Sequence, residues 1–184
     1  ANTAIGAGLT DPSEGGPAIL AQLPSLGGIV SDGAGNIFTI ISGEQRVRRV
    51  GVNGLITTVL GRGASTSGTP TVPFNLGSAK LLAVDGLGNL YISQPFLNVI
   101  HKLDANGVLS TFAGNGSRSG GGDGQLAVNS AIGQVRSMVA DQDGNLYYTL
   151  FNRVKKVDTN GILSTVAGDT PEAGQDGGFR GDGG

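Results

Sequence analysis

The chain has 184 residues and a net charge of −2, with 38% hydrophobic and 14% charged residues. It is apolar enough to bury a core, and it offers no electrostatic case for a nucleic-acid partner. Cys is absent, which excludes disulfides, thiolate metal sites and a Cys nucleophile together, and no run of about eighteen apolar residues predicts a membrane span.

In chain order, residues 1–9 (ANTAIGAGL) lack the charged and apolar regions of a secretory leader. Thr3 to Gly8 matches Thr58 to Gly63 and Thr111 to Gly116, so it reads as the last strand of a repeat. Residues 10–25 are a Pro- and Gly-punctuated connector with room for one helical turn at most. Then one sentence is written three times, beginning at Asp32, Asp85 and Asp141: D-x-x-G-N-[IL]-[FY], a basic strand, N-G-[LIV]-[LI]-[ST]-T-[VF]-x-G. The spacings are 53 and 56 residues, and Gly54, Gly107 and Gly161 recur at 53 and 54. A fixed period of this length signals a repeat architecture.

The third repeat divides into four short strands, Arg136–Asp141, Asn145–Leu150, Arg153–Asp158 and Ile162–Ala167. D-x-x-G-N joins the first pair, and an Asn-Gly hairpin with positive φ values joins the second. Each repeat is therefore predicted to be a four-stranded antiparallel meander. The repeats lie at approximately 26–61, 79–114 and 135–168 of a single segment 1–184, with partial neighbours at 1–9 and 169–184. Long polar loops such as 62–75 and 115–130 cross from one sheet to the next, and no helical period of ten residues is present. Repeated sheets of this kind bury both faces by stacking around an axis, which predicts an all-β fold of β-propeller blades.

These residues resemble the NHL repeat: D-x-x-G-N-[IL]-Y, the basic strand, N-G-x-[LI]-S-T-x-A-G and the Gly181-Asp182-Gly183-Gly184 linker. Bacterial extracellular NHL arrays are particularly similar. The resemblance implies a six-bladed ring, of which this chain is half or a partial propeller, and an extracellular or cell-surface location. It implies no single activity, because NHL propellers serve as protein-binding, RNA-binding, sensor and, rarely, lyase domains.

The motifs that could carry chemistry each meet a plainer reading. Asp141-Gln142-Asp143-Gly144-Asn145 imitates a calcium loop, yet position twelve is Asn152 where a bidentate Glu is required, and turn chemistry accounts for the motif. Seven of the twelve Lys and Arg residues lie on the third strands, which carry Arg46, Arg48, Arg49, His101, Lys102, Arg153, Lys155 and Lys156. Of these, Arg48, His101 and Lys155 are the residues expected to meet a ligand or partner. The plainer expectation is a solvated face whose aliphatic stems cover apolar neighbours. Period-two alternation predicts that Val47, Ile100 and Val154 are buried equivalents, with Arg48, His101 and Lys155 on the opposite face. His101 is the single His, so the multi-His zinc site of the NHL-type lyase has no ligand set, and no G-x-S-x-G elbow is present. The glycine-rich stretches at 61–63 and 114–120 do not open a helix as phosphate loops do. Arg180-Gly181-Asp182 and the sequon Asn115-Gly116-Ser117 are short matches in loops and receive no function.

The expected function is thus non-catalytic binding or structural assembly, with no cofactor, no metal, no nucleic acid and no membrane. The expected partners are other copies of the chain or further propeller blades, or another protein. Start and finish lie at nearly the same phase of the repeat, which allows two chains to close a ring or copies to form an open filament. A segment of a longer array is the alternative. The rival function is a propeller lyase or lactonase whose metal ligands lie in other blades; the first strands LGGIVS, AKLLAV and RSMVA bring no acid of their own to the axis.

Overall fold

Each repeat closes on two turns of one geometry. In D-x-x-G-N the Asp N–H donates to the Asn carbonyl and the Gly N–H returns to the Asp carbonyl, with Gly35, Gly88 and Gly144 at φ of 88°, 82° and 94°. The carboxylate completes the turn. Asp32 Oδ1 accepts from the N–H groups of Ala34 and Asn36 at 3.0 and 2.8 Å, and Asp85 and Asp141 repeat the pattern. The Asn-Gly turns follow the same plan, with only Gly54, Gly107 and Gly161 left-handed. The sequence predicts positive φ values across Asn-Gly; in the structure the glycine alone is left-handed, because the turn closes from Gly51, Asp104 and Asp158 onto the carbonyls of Leu55, Val108 and Ile162 and leaves the Asn in ordinary backbone.

In a computed structural model the chain is described over residues 14–61, 76, 79–118 and 122–168. These residues form three four-stranded antiparallel meanders. Blade one is β1 (Leu26–Ser31), β2 (Ile37–Ile41), β3 (Arg46–Val50) and β4 (Ile56–Gly61). Blade two is β5 (Leu81–Val84), β6 (Leu90–Gln94), β7 (Val99–Leu103) and β8 (Leu109–Ala113). Blade three is β9 (Ser137–Ala140), β10 (Leu146–Leu150), β11 (Arg153–Val157) and β12 (Leu163–Ala167). The strands of blade three are a residue or two shorter than the sequence suggests, because Arg136, Asp141, Asn145, Asp158 and Ile162 belong to the flanking loops and turns. The partial neighbours at 1–9 and 169–184, the tripeptide at 180–182 and the loop 62–75 lie outside the described residues.

The blades meet face to face in two apolar layers. Ile40, Val47 and Leu60 of blade one pack with Leu82, Leu90, Ile92 and Leu103 of blade two. Tyr91, Ile100 and Ala113 on the other face of blade two pack with Leu146, Tyr148, Val157 and Leu163 of blade three. Each fully buried Leu or Ile side chain contributes about 1.5–3 kcal/mol, so these layers hold the blades together. The first strands approach closely, and Gly28 N–H donates to Lys80 O at 3.0 Å from one blade to the next.

The structure corrects the expectation of a solvated face for the third strands. Val47 and Ile100 are fully buried as predicted, but Val154 is half-buried, while Arg48 (1% exposed) and Lys155 (6%) are enclosed. Alternation holds, with the two sets on opposite faces; the inference from charge to a solvated face does not. Val154 lies on the face of blade three that no blade among the described residues covers, whereas Lys155 faces blade two.

Candidate functional site

The residues that enclose Arg48 and Lys155 come from the linkers. Ahead of blade one, Gly15 and Ile56 are joined by Gly15 N–H to Ile56 O (2.8 Å), Ile56 N–H donates to Gly16 O, and Pro17 bridges Leu55. The linker ahead of blade three repeats this: Gly124 N–H to Leu163 O (2.8 Å), Leu163 N–H to Gln125 O, and a bridge from Leu126 to Ile162. Each linker then makes a short 3-10 turn, Ala18–Leu20 or Ala127–Asn129, that of the first matching the single helical turn the connector allows. Pairing with the outer strand covers an otherwise open sheet edge.

This backbone path delivers one carboxylate per linker to the same place. Glu14 accepts from Thr58 N–H at 2.9 and 3.1 Å and from the Thr58 hydroxyl at 2.7 Å, with Arg48 Nη2 at 3.8 Å. Asp123 accepts from Lys155 Nζ at 2.7 Å, from Thr165 N–H at 2.9 Å and from the Thr165 hydroxyl at 3.2 Å. Arg48 pairs in register with Thr58, and Lys155 with Thr165, immediately after the same bulge in each blade. Partial burial alone raises the Asp123 carboxyl, but the hydrogen bonds from Lys155 and Thr165 outweigh it and hold the group below its ordinary value.

Blade two places His101 opposite Thr111 in that register. Its Nε2 lies 3.0 Å from Gln94 Oε1, and burial lowers its pKa, so the ring stays neutral further into acid than a free imidazole. Of the three residues expected to contact a ligand, then, Arg48 and Lys155 are engaged by the chain's own carboxylates, and His101 is half-buried beside Gln94. The other third-strand cations are occupied too. Lys102 lies over Tyr91 and Phe112 at 5.6 and 5.8 Å from their ring centroids, Lys156 over Tyr147 at 5.6 Å, and Arg49 donates to Asn36 Oδ1 at 2.9 Å. Sequence reading missed Glu14, Asp123, Thr58 and Thr165. The signal was present as an acid inside Ser13-Glu14-Gly15-Gly16 and Gly122-Asp123-Gly124-Gln125, each ahead of a blade with Arg or Lys at the central third-strand position.

A second polar cluster joins blades two and three. Tyr91 shares its hydroxyl between Asp85 Oδ2 (3.0 Å) and Gly144 O (3.3 Å). Burial, reinforced by the Asp85 charge, raises the Tyr91 phenol above its ordinary range. At the sequon, Asn115 is exposed; its Oδ1 accepts from Ser117 N–H and its Nδ2 donates to Asn129 O, both at 2.9 Å. Among the described residues no group of three or more His, Asp or Glu could hold a metal ion, and no helix is long and apolar enough to cross a membrane.

No model of a known protein family matches the sequence. Mouse Teneurin-3 is 29% identical over 173 residues, covering 84% of this chain and 6% of that protein. Among solved structures, a streptogramin B lyase superposes with a TM-score of 0.54 at 17% identity, covering 82% of this chain and 42% of the other. An auxiliary nutrient binding protein from Bacteroides ovatus superposes at 0.58 with 16% identity, covering 80% and 37%. The chain therefore spans a small part of the teneurin and less than half of each solved chain. What the fold defines is a class: three blades of the β-propeller type, matching part of larger propellers.

Proposed function

We propose that this chain is a non-catalytic NHL-type propeller segment, extracellular in setting, whose two terminal blades each present a sheet face to further blades. The observation that carries this reading is a contrast between equivalent positions. Leu82 and Ala83 on the first strand of blade two are 7% and 2% exposed. Ile29, equivalent to Leu82, is 70% exposed on blade one, and Val139, equivalent to Ala83, is 61% exposed on blade three. The same pattern that packs against a neighbour between the described blades is exposed at Ile29 and Val139 on their two outer faces, and apolar surface of that kind favours burial. The covering blades come from a second copy of the chain or from a longer polypeptide.

Light scattering with intact mass on the same sample tests this. A species heavier than 18.4 kDa that Val139→Glu or Ile29→Glu returns to a monomer is the expected result for self-association, whereas a heavier intact polypeptide assigns the blades to the same chain. A monomer of 18.4 kDa at every concentration overturns assembly through these faces.

A second reading rests on the likeness to streptogramin B lyase: the chain is part of a propeller lyase whose metal ligands lie in blades outside it. Elemental analysis of the intact natural assembly separates the two, since the binding reading expects no stoichiometric metal.

A further inference from the structure

Among the described residues the fold sets a fourth-strand threonine in register with the central third-strand residue three times, and twice a linker carboxylate occupies the receptor so formed. The receptor consists of a fourth-strand threonine, offering its N–H and hydroxyl, and the third-strand residue in register with it. Glu14 fills the receptor of Thr58 and Arg48, and Asp123 fills that of Thr165 and Lys155. In blade two the equivalent pair is Thr111 and His101, after the same bulge and with the same register. The whole connection into this blade, residues 62–80, contains neither Asp nor Glu. Among the described residues no carboxylate meets Thr111, and this residue is exposed where Thr58 is 2% exposed and Thr165 half-buried.

We propose that the outer edge of blade two, at Thr111 beside His101, is a carboxylate-binding site that takes its ligand from outside the blade's own linker. A threonine N–H and hydroxyl converging on one point favour an acceptor with two oxygens, and the two filled copies show that a carboxylate of either Asp or Glu length fits. The replacement of Arg or Lys by His leaves the site without a permanent cation, so the ligand is held through hydrogen bonds and exchanges with solvent rather than being locked in. The ligand is an acidic side chain of a polypeptide or a small carboxylate; both present the same group. The site lies on the outer edge and does not depend on the sheet faces invoked for assembly.

Amide-resolved NMR on the intact chain tests it. Labelled protein is titrated with sodium acetate, with a blocked peptide copying residues 122–125, and with sodium chloride at matched ionic strength. The expected result is a saturable shift of the Thr111 amide, with Thr58 and Thr165 unmoved because their receptors are full. Response to both probes assigns the site to carboxylates in general; response to the peptide alone assigns it to polypeptide ligands. Thr111→Val, which keeps the N–H and removes the hydroxyl, is expected to weaken binding several-fold. Asp123→Ala supplies the control, since emptying the blade-three receptor should make Thr165 respond to acetate. A Thr111 amide that both probes leave in place, or that chloride moves equally, overturns the proposal.

Discussion

Asp123 and Lys155 meet at 2.7 Å across 32 residues of chain, the Lys side chain 7% exposed and the Asp 44%. An ammonium so enclosed tolerates its position only while a carboxylate answers it. Removing the acid therefore costs more than removing the base. Asp123→Ala should lower stability by about 1–3 kcal/mol, discounted for the half-open Asp. Lys155→Met, which fills similar space without a charge, should cost less, and urea midpoints of the two variants decide the order. If Lys155→Met proves the more damaging, the clasp is not what holds the linker to the blade.

The acid limb of stability follows from the turn and clasp carboxyls. Burial opposes but hydrogen bonding from Asn36 and its N–H outweighs it at Asp32; hydrogen bonds from Asn145 and from Ile162 N–H dominate at Asp141 and Asp158; all three, like Asp123, titrate below their ordinary value. A folded pKa below the unfolded one means stability is fully present above the unfolded value, about pH 4, and is lost as pH falls through the folded values. Thermal midpoints should be flat from neutrality to about pH 5 and fall below about pH 4. Asp123→Ala should make that fall shallower; an unchanged slope would assign the limb to the other carboxyls.

Tyr91→Phe keeps the ring that Phe112 meets edge-on at a centroid distance of 4.9 Å and removes the hydroxyl that Asp85 and Gly144 share. Asp85 retains its bonds from Leu87 N–H, Asn89 N–H and the Asn89 amide, so the expected loss is about 1 kcal/mol. The unfolding slope in denaturant should not change, since packing is conserved.

Gly61, Gly114 and Gly168 end the fourth strands at φ of 103°, 94° and 90°, where a Cβ would fall on the carbonyl oxygen of Gln45, Asn98 or Asn152. Gly114→Ala should therefore cost about 3 kcal/mol or more through clash and backbone strain together. Gly33→Ala, in open space without a positive φ, should stay within about 0.5 kcal/mol. Equal effects in denaturant unfolding would show that the backbone yields at residue 114.

What the sequence determined by itself is the blade. Its strands, turns and repeat period depend on interactions within a few residues: Asp32, Gly35 and Asn36 close their own turn, and period-two alternation puts Val47 and Arg48 on opposite faces wherever the sheet lies. What only the tertiary structure decided is which faces and edges are covered. Alternation separates the faces of a strand but does not say that both are packed, so Arg48 and Lys155 read as solvated until the linkers were placed over them. The carboxylates that answer them lie 34 and 32 residues upstream, reached through a backbone path along the outer strand that no local period encodes. Burial is a property of two surfaces meeting, and a repeat specifies only one of them at a time.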